Sequence, residues 1–165
     1  MSEHRRDQKV NANIALIITS NTRTINTDET GKLAIELLEK EGHEVSSYVI
    51  VPNEEDKITE AYDESLRSEK IQVIITSGGT GISILDKTVD TISTTFEKEM
   101  PGFGELFRRL SFDEIGPSST FSRSTAGLKN GKLVYCLPGS KGAMRTALKK
   151  IILPTIGHLI WEVHR

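Results

Sequence analysis

Short apolar runs alternate with amphipathic segments through the first half of the chain. Residues 14–19, 45–51 and 71–76 are brief, rich in isoleucine and valine and bounded by turn residues, which predicts three strands. Residues 28–42 and 53–70 repeat their apolar positions with the period of a surface helix. This alternation predicts an α/β domain with a parallel sheet covered by helices on both faces.

The second half of the chain is predicted to hold more helix and one further strand. A helix over 88–98, capped by Thr88, precedes a second helix that begins after Pro101 and Gly102. The Asn130-Gly131 pair predicts a turn that would close a hairpin before a strand over 132–137.

From Ser140 the pattern predicts helix, interrupted by Pro154, with a second helix to Val163. Residues 112–123 show no clear period. We expect one domain over residues 13–165, preceded by a flexible, polar tail over residues 1–12.

Composition narrows the possible functions. The 165 residues carry 21 basic and 23 acidic side chains, a net charge of −2, which disfavours nucleic acid as a partner. The longest apolar runs hold about five residues, far fewer than a membrane span needs. No apolar leader is apparent near the start, and the single cysteine excludes an internal disulfide. A cytoplasmic protein is the simplest expectation.

The most informative segment is the glycine-rich sequence after the third predicted strand. Residues 77–81 read Ser-Gly-Gly-Thr-Gly, and Asp86 follows shortly afterwards. A strand, a glycine turn and a helix together can bring backbone N–H groups to a phosphate. Because Mg²⁺ usually binds one or two carboxylates plus substrate phosphates, Asp86 suggests a magnesium-bridged phosphate. The alternative is an ordinary tight turn at the end of a core strand.

Two common phosphate motifs do not fit this segment. A dinucleotide-binding fingerprint would need a third glycine where Ile84 stands. A Walker A loop would need glycine rather than Asp86 before Lys87 and Thr88.

Three other loops are expected at the same edge of the sheet, because parallel strands place their carboxyl ends together. They cover residues 20–23, 52–56 and 138–142. Basic residues in or just beyond these loops are weaker candidates for phosphate contact: Arg23, Arg123, Lys141 and Arg145. Cys136 is interpreted as a small core residue rather than a nucleophile, and the four histidines lack metal-ligand spacing.

Several motifs occur in one order along most of the chain. They are Thr-Ser-Gly-Gly-Thr-Gly at 76–81, Asp-Lys-Thr at 86–88, Glu-Met-Pro-Gly-Phe-Gly-Glu at 99–105, Leu-Ser-Phe-Asp-Glu-Ile-Gly at 110–116, Ser-Arg-Ser-Thr-Ala-Gly at 122–127 and Leu-Pro-Gly-Ser at 137–140. Together they resemble the molybdenum cofactor biosynthesis family of MoaB and MogA proteins, and the MoaB branch in particular.

The resemblance implies a single three-layer α/β/α domain that assembles as a homo-oligomer, either a trimer or a hexamer. It also implies the adenylylation of molybdopterin with ATP as co-substrate and Mg²⁺ as cofactor, releasing pyrophosphate. Asp86 would be the catalytic and metal-binding carboxylate, with Glu54 as a second metal ligand. The implied substrate-binding residues are Ser77, Gly78, Gly79, Thr80, Gly81, Ser111, Ser122, Pro138, Gly139 and Ser140.

Two residues depart from the family pattern and keep other functions open. Asn53 stands where active adenylyltransferases usually carry aspartate, and Cys136 where many relatives carry asparagine. They favour the alternative of a non-catalytic molybdopterin-binding or carrier protein on the same scaffold. An oligomerising interaction module is a third possibility.

Overall fold

The computed structural model describes residues 10–165 and contains one six-stranded sheet flanked by helices. The strands are β1 (Asn13–Thr19), β2 (Glu44–Val51), β3 (Val73–Ser77), β4 (Lys98–Glu99), β5 (Thr125–Lys129) and β6 (Lys132–Leu137). The helices are α1 (Glu29–Lys40), α2 (Glu55–Arg67), α3 (Thr88–Ser93), α4 (Pro101–Ile115), α5 (Lys141–Ala147) and α6 (Leu153–His164). A 3₁₀ segment over Gly116–Phe121 follows α4.

The sheet is mostly parallel, as the sequence predicts. Its strand order is β2-β1-β3-β6-β5-β4, and the four strands from β2 to β6 run parallel. β5 and β4 add an antiparallel edge. The predicted turn joins β5 to β6, with positive φ angles of 50° at Asn130 and 70° at Gly131. The hairpin reverses the chain, so the segment before β5 lies at the carboxyl edge of β6.

Hydrophobic side chains pack on both faces of the sheet. On one face, Leu16 and Ile18 belong to a core shared with Leu38 of α1 and Phe107 of α4. On the other face, Ala15, Ile17 and their neighbours pack against residues of α2 and α3, Ile58, Tyr62 and Ile92 among them. The strict alternation along β1 therefore produces the expected three-layer α/β/α domain.

The helix predicted over 88–98 is wrong in its end and in its cap. α3 ends at Ser93, and the N-cap position belongs to Lys87. The Thr88 side chain is buried and donates to Thr19 Oγ1 at 3.2 Å, so a tertiary contact takes the hydroxyl that was expected to cap the helix. The chain leaves the helix early because the Glu97 N–H donates to the Leu128 carbonyl and starts the sheet edge.

The predicted interruption at Pro154 takes the form of a change in helix type. A π-helical segment over Leu148–Ile152 joins α5 to α6, and Pro154 lies in the first turn of α6. Proline has no N–H to donate to the Lys150 carbonyl, and a first-turn position tolerates that loss. The chain therefore stays helical through this region.

The fold begins at least one residue before the predicted boundary at residue 13. Ala12 is fully buried, and its N–H donates to His43 Nδ1 at 3.1 Å. Residues 1–9 of the predicted tail lie outside the described residues. Within residues 10–165, every helix is too short or too polar to cross a membrane.

Candidate functional site

Three loops at the carboxyl edge of the sheet are joined by hydrogen bonds. The Asn53 N–H, after β2, donates to Asn21 Oδ1, after β1, at 2.8 Å. Asn53 Oδ1 accepts in turn from the Lys87 N–H at 3.3 Å. The structure thus brings together the loops after β1, β2 and β3, as the parallel sheet predicted.

The first two glycines of the loop after β3 have positive φ angles, 107° at Gly78 and 68° at Gly79. A Cβ on Gly78 would stand 2.2 Å from the Thr19 carbonyl oxygen, and one on Gly79 would stand 2.3 Å from Thr88 Oγ1. Both conformation and space therefore require glycine here. The turn packs closely against the end of β1 and the start of α3.

The same loop presents bare backbone donors. The N–H groups of residues 79–82 make no hydrogen bond to any atom of the described protein. The turn itself is closed by others, since the Gly78 N–H donates to the Leu137 carbonyl and the Thr88 N–H to the Gly79 carbonyl. Successive free N–H groups in a turn form a concave site suited to an anion.

Asp86 lies against this cradle. Its Oδ2 accepts from the Ser83 N–H at 3.0 Å and would be 2.7 Å from a Cβ placed on Gly81. The carboxylate is therefore held close to the glycine loop by the loop's own backbone. A negative charge beside free N–H groups would repel phosphate unless a cation lies between them.

Arg123, a sequence candidate for phosphate contact, instead supports the loop. Its N–H donates to the Thr80 carbonyl and its Nε to the Gly81 carbonyl, both at 2.9 Å. The rest of the guanidinium makes a bidentate pair with Asp90 at 2.8 and 2.9 Å, and this hydrogen bonding lowers the pKa of the Asp90 carboxyl. Ser122 is thereby held next to the glycine loop.

The loop after β6 packs directly on the glycine loop. Ser77 Oγ donates to the Pro138 carbonyl at 3.1 Å, and a Cβ on Gly139 would lie 3.5 Å from the Gly78 Cα. Ser140 is the N-cap of α5 and accepts from the Ala143 N–H through its hydroxyl. Of the predicted substrate residues, those of 77–81, Ser122 and those of 138–140 therefore form one contiguous group, in which Ser77, Gly78 and Thr80 are buried.

Two predicted site residues are not joined to this group by any contact among the described residues. Ser111 is buried within α4, where its hydroxyl donates to the Phe107 carbonyl at 2.8 Å. Glu54 is exposed at the N-cap position of α2 and makes no capping hydrogen bond. It neighbours Asn53, so it lies on the segment that touches the glycine loop.

Cys136 is fully buried in the core that packs under α2 and α3. Burial raises the pKa of its thiol to about 12, so the thiol is neutral at ordinary pH. This confirms Cys136 as a core residue and removes it from the pocket, where its replacement of asparagine would have mattered. Among the described residues, no group of three or more His, Cys, Asp or Glu side chains is arranged to hold a metal ion alone.

Sequence reasoning missed a buried group beside the site. Asp28 is the N-cap of α1, where its Oδ2 accepts from the Gly31 N–H at 3.1 Å. The same oxygen also accepts from the Tyr48 hydroxyl at 2.7 Å, and Asp28 Oδ1 lies 3.7 Å from Arg23. Nothing in the local sequence around Tyr48 signals this contact across the fold.

Comparison with known proteins agrees with this architecture. A family model described as "Probable molybdopterin binding domain" matches residues 15–158. Molybdenum cofactor biosynthesis protein B of Bacillus cereus is 40% identical over 166 residues, which cover 100% of this chain and 98% of that protein.

Solved structures give the same result. A crystal structure of a molybdenum cofactor biosynthesis protein B superimposes with a TM-score of 0.92 at 42% identity, covering 96% of this chain and 99% of that chain. The tungsten cofactor synthesizing protein MoaB from Pyrococcus furiosus gives 0.83 at 33% identity, with coverage of 93% and 98%.

The fold and its loops define an α/β/α protein with a candidate ligand site at the carboxyl edge of a mostly parallel sheet. Within that class, the chain belongs to the molybdopterin-binding domain family, in the MoaB branch of molybdenum cofactor biosynthesis proteins.

Proposed function

We propose that this protein transfers the adenylyl group of ATP to the terminal phosphate of molybdopterin, with Mg²⁺ as cofactor. The observation that carries the proposal is the run of free N–H groups at residues 79–82 with the Asp86 carboxylate beside it. A carboxylate at that position would repel a phosphate that came without a cation. A metal-bridged phosphate needs both.

The donor set fits Mg²⁺. This ion keeps near-octahedral oxygen ligation and usually binds protein through one or two carboxylates, with phosphates and water completing its shell. Asp86, with Glu54 on the neighbouring segment, supplies that number of carboxylates, and a larger cluster is absent from residues 10–165. When bound, the ion would neutralise charge on the nucleotide phosphates.

The reaction needs positioning more than covalent chemistry from the protein. An oxygen of the pterin phosphate attacks the α-phosphorus of ATP, a new P–O bond forms, and the bond to the bridging oxygen breaks. Pyrophosphate leaves with that oxygen. The N–H groups of the glycine loop would hold phosphate oxygens, and the rigid packing of Gly139 on Gly78 would keep the two reactants at a fixed separation.

The pterin is proposed to lie along the surface formed by Ser122 and residues 138–140. The Ser122 hydroxyl shares a 2.9 Å hydrogen bond with the Ser124 hydroxyl, so it can both donate and accept. Ser111 has its hydroxyl on the Phe107 carbonyl and would have to exchange that bond to reach a ligand. It is therefore the weakest member of the proposed set.

A homo-oligomer, either a trimer or a hexamer, is part of the proposal. Leu106, Phe112, Ile115 and Phe121 are 45% to 58% exposed on α4 and the 3₁₀ segment after it. Phe112 and Ile115 are three positions apart on α4, and neighbouring exposed apolar side chains of this size favour association with another protein surface. We also propose a cytoplasmic location, which suits a buried, unpaired thiol.

The second candidate is a non-catalytic molybdopterin carrier. Asn53 is the observation that favours it, because its side-chain oxygen is occupied by the Lys87 N–H rather than directed to a metal. In this case the pocket would bind the pterin without transferring the adenylyl group.

Asp86→Asn tests the function, because asparagine keeps an oxygen for the Ser83 N–H while removing the charge. The measurement is the rate of pyrophosphate release with molybdopterin, ATP and Mg²⁺. We expect a loss of about 100-fold or more, since metal-held charge stabilisation is worth several kcal/mol. Glu36→Gln, on the exposed face of α1, is the matched control and should keep full activity. Equal rates for Asp86→Asn and the unaltered protein would contradict the assignment of Asp86.

A further inference from the structure

The guanidinium of Arg23 lies at the site with unused hydrogen-bond donors. Its side chain is only 33% exposed, yet none of its five side-chain N–H groups donates to an acceptor within residues 10–165. Its Nη1 forms one long ion pair, 3.7 Å from Asp28 Oδ1, and this leaves most of its five N–H groups without a protein acceptor. The half-buried Arg23 side chain therefore retains N–H donors for an acceptor on a ligand.

A hydrogen-bonded pair, the fully buried Asp28 and the half-buried Tyr48, lies beside Arg23. Asp28 is fully buried, and its Oδ1 makes no hydrogen bond although it lies 3.7 Å from Arg23 Nη1. Its Oδ2 is fixed by the Gly31 N–H and the Tyr48 hydroxyl. Burial, followed by the bond to Asp28, raises the pKa of Tyr48 well above its ordinary value, so Tyr48 remains a donor.

The same guanidinium nitrogen also lies beside the loop after β6. Arg23 Nη1 lies 3.8 Å from the point that a Cβ on Gly139 would occupy. Gly139 is fixed there, because its carbonyl accepts from Thr30 Oγ1 at 3.0 Å. A side chain at residue 139 would narrow the approach to Arg23, so glycine keeps it open.

Two cavities meet at Arg23. One of 570 Å³ is lined by Arg23, Asn21, Pro52 and Glu54 among others, and one of 240 Å³ by Arg23, Thr27, Thr30 and Lys141 among others. The nearby cations are already engaged, since Lys141 pairs with Glu29 at 2.9 Å and Arg123 with Asp90. Arg23 lines both cavities, so a ligand in either one would lie next to its side chain.

We propose that Arg23 binds a phosphate group of the ligand, and that Asp28 and Tyr48 are positioning residues that hold its guanidinium toward Gly139. This rests on the proposed function, which supplies the phosphates. Guanidinium matches a phosphate in a planar, two-pronged geometry that lysine cannot reproduce. The phosphate belongs either to the nucleotide or to the pterin.

Calorimetric titration separates the two sources. The probes are the non-transferable nucleotide α,β-methylene-ATP with Mg²⁺, and molybdopterin alone. Arg23→Met keeps the length of the side chain but removes its charged hydrogen-bond donors. It should therefore weaken the affinity for one probe by about tenfold or more. Arg23→Lys should recover only part of that affinity. Arg109→Met, which removes an arginine 68% exposed on α4, is the control and should bind both probes normally.

The outcomes distinguish this inference from the proposed function. If the unaltered protein binds neither probe, the proposed function fails and the inference falls with it. If the unaltered protein binds a probe and Arg23→Met binds both probes with the same affinities as the unaltered protein, only the inference is overturned.

A double-mutant cycle tests the positioning role. Asp28→Asn retains an N-cap oxygen for α1 and removes the charge, and Tyr48→Phe removes only the hydroxyl. Each substitution should weaken the affinity for the probe that Arg23 binds by about three- to tenfold. In the Arg23→Met background the same substitutions should leave that affinity unchanged. Equal weakening in both backgrounds would show a merely structural role and overturn the assignment of Asp28 and Tyr48.

Discussion

Asn53 Oδ1 accepts a hydrogen bond from the backbone N–H of Lys87 across 3.3 Å. The same oxygen would lie 3.0 Å from a Cβ on Gly79, so Asn53 fills the space beside the glycine loop. The asparagine that sequence comparison treats as a weakened metal ligand is therefore also a connector. It fixes the loop after β2 to the residue that follows Asp86.

The connector role makes Asn53→Asp informative. Aspartate can keep the bond to the Lys87 N–H and adds a second negative charge near Asp86. We therefore expect pyrophosphate release to be faster and to reach half its maximal rate at a lower Mg²⁺ concentration. Asn53→Ala, the matched variant, loses the bond and should be slower than the unaltered protein. The measurement is the rate as a function of Mg²⁺ concentration. Identical magnesium curves for Asn53→Asp and the unaltered protein would leave Glu54 as the relevant carboxylate.

Gly79→Ala should damage the cradle. Its φ of 68° is strained for alanine, and the new Cβ would meet Thr88 Oγ1. We expect the free energy of unfolding to fall by about 1–3 kcal/mol, together with loss of nucleotide binding. Gly102→Ala is the control, because no atom lies within 4 Å of its Cβ position. Denaturant unfolding checks both, and equal stability for the two variants would refute the described loop conformation.

His43 should make stability depend on pH. Burial lowers its pKa below the ordinary value of 6.5, and its Nδ1 must be unprotonated to accept from the Ala12 N–H. Between the folded and unfolded pKa values the unfolded chain binds more protons, so stability is complete above about pH 6.5 and declines as pH falls through this window. Urea unfolding across this range should show a smaller decline for His43→Gln. A decline of unchanged size would exclude His43 as its source.

Lys132 should contribute to stability rather than to chemistry. Lys132 is 8% exposed, and its ammonium donates to the carbonyls of Ser68 and Ile71 just beyond α2. Lys132→Met leaves these acceptors unpaired and should lower the free energy of unfolding by about 2 kcal/mol. Lys129→Met, which loses only a surface ion pair, should change it by less than about 1 kcal/mol. Matching losses in the two variants would contradict the buried role.

The strands that the sequence predicts most directly are those that bury both faces. β1, β3 and β6 read as continuous apolar runs, and their parallel pairing follows from the helices between them. β5 escaped prediction because Gly127 interrupts its pattern. The structure explains why residue 127 is glycine: a Cβ at this position would lie only 2.4 Å from Cδ2 of the Phe96 ring. Such a contact depends on residues far apart in sequence.

The candidate site likewise contains residues that local sequence predicts and contacts that only the folded chain reveals. The glycine loop and Asp86 are adjacent in the chain, so local sequence predicts them. The bond of Asn53 to Lys87 spans 34 positions and that of Tyr48 to Asp28 spans 20, and only the folded sheet brings these pairs together. Arg123 shows the same limit, because its hydrogen bonds to the Thr80 and Gly81 carbonyls join residues more than 40 positions apart.

The central claim is tested most directly by mass spectrometry of the protein incubated with molybdopterin, ATP and Mg²⁺. Adenylyl transfer predicts adenylylated molybdopterin formed over many turnovers, with one pyrophosphate released for each, and none formed without Mg²⁺. Molybdopterin that stays bound and unmodified while ATP remains intact would contradict catalysis and establish the carrier function.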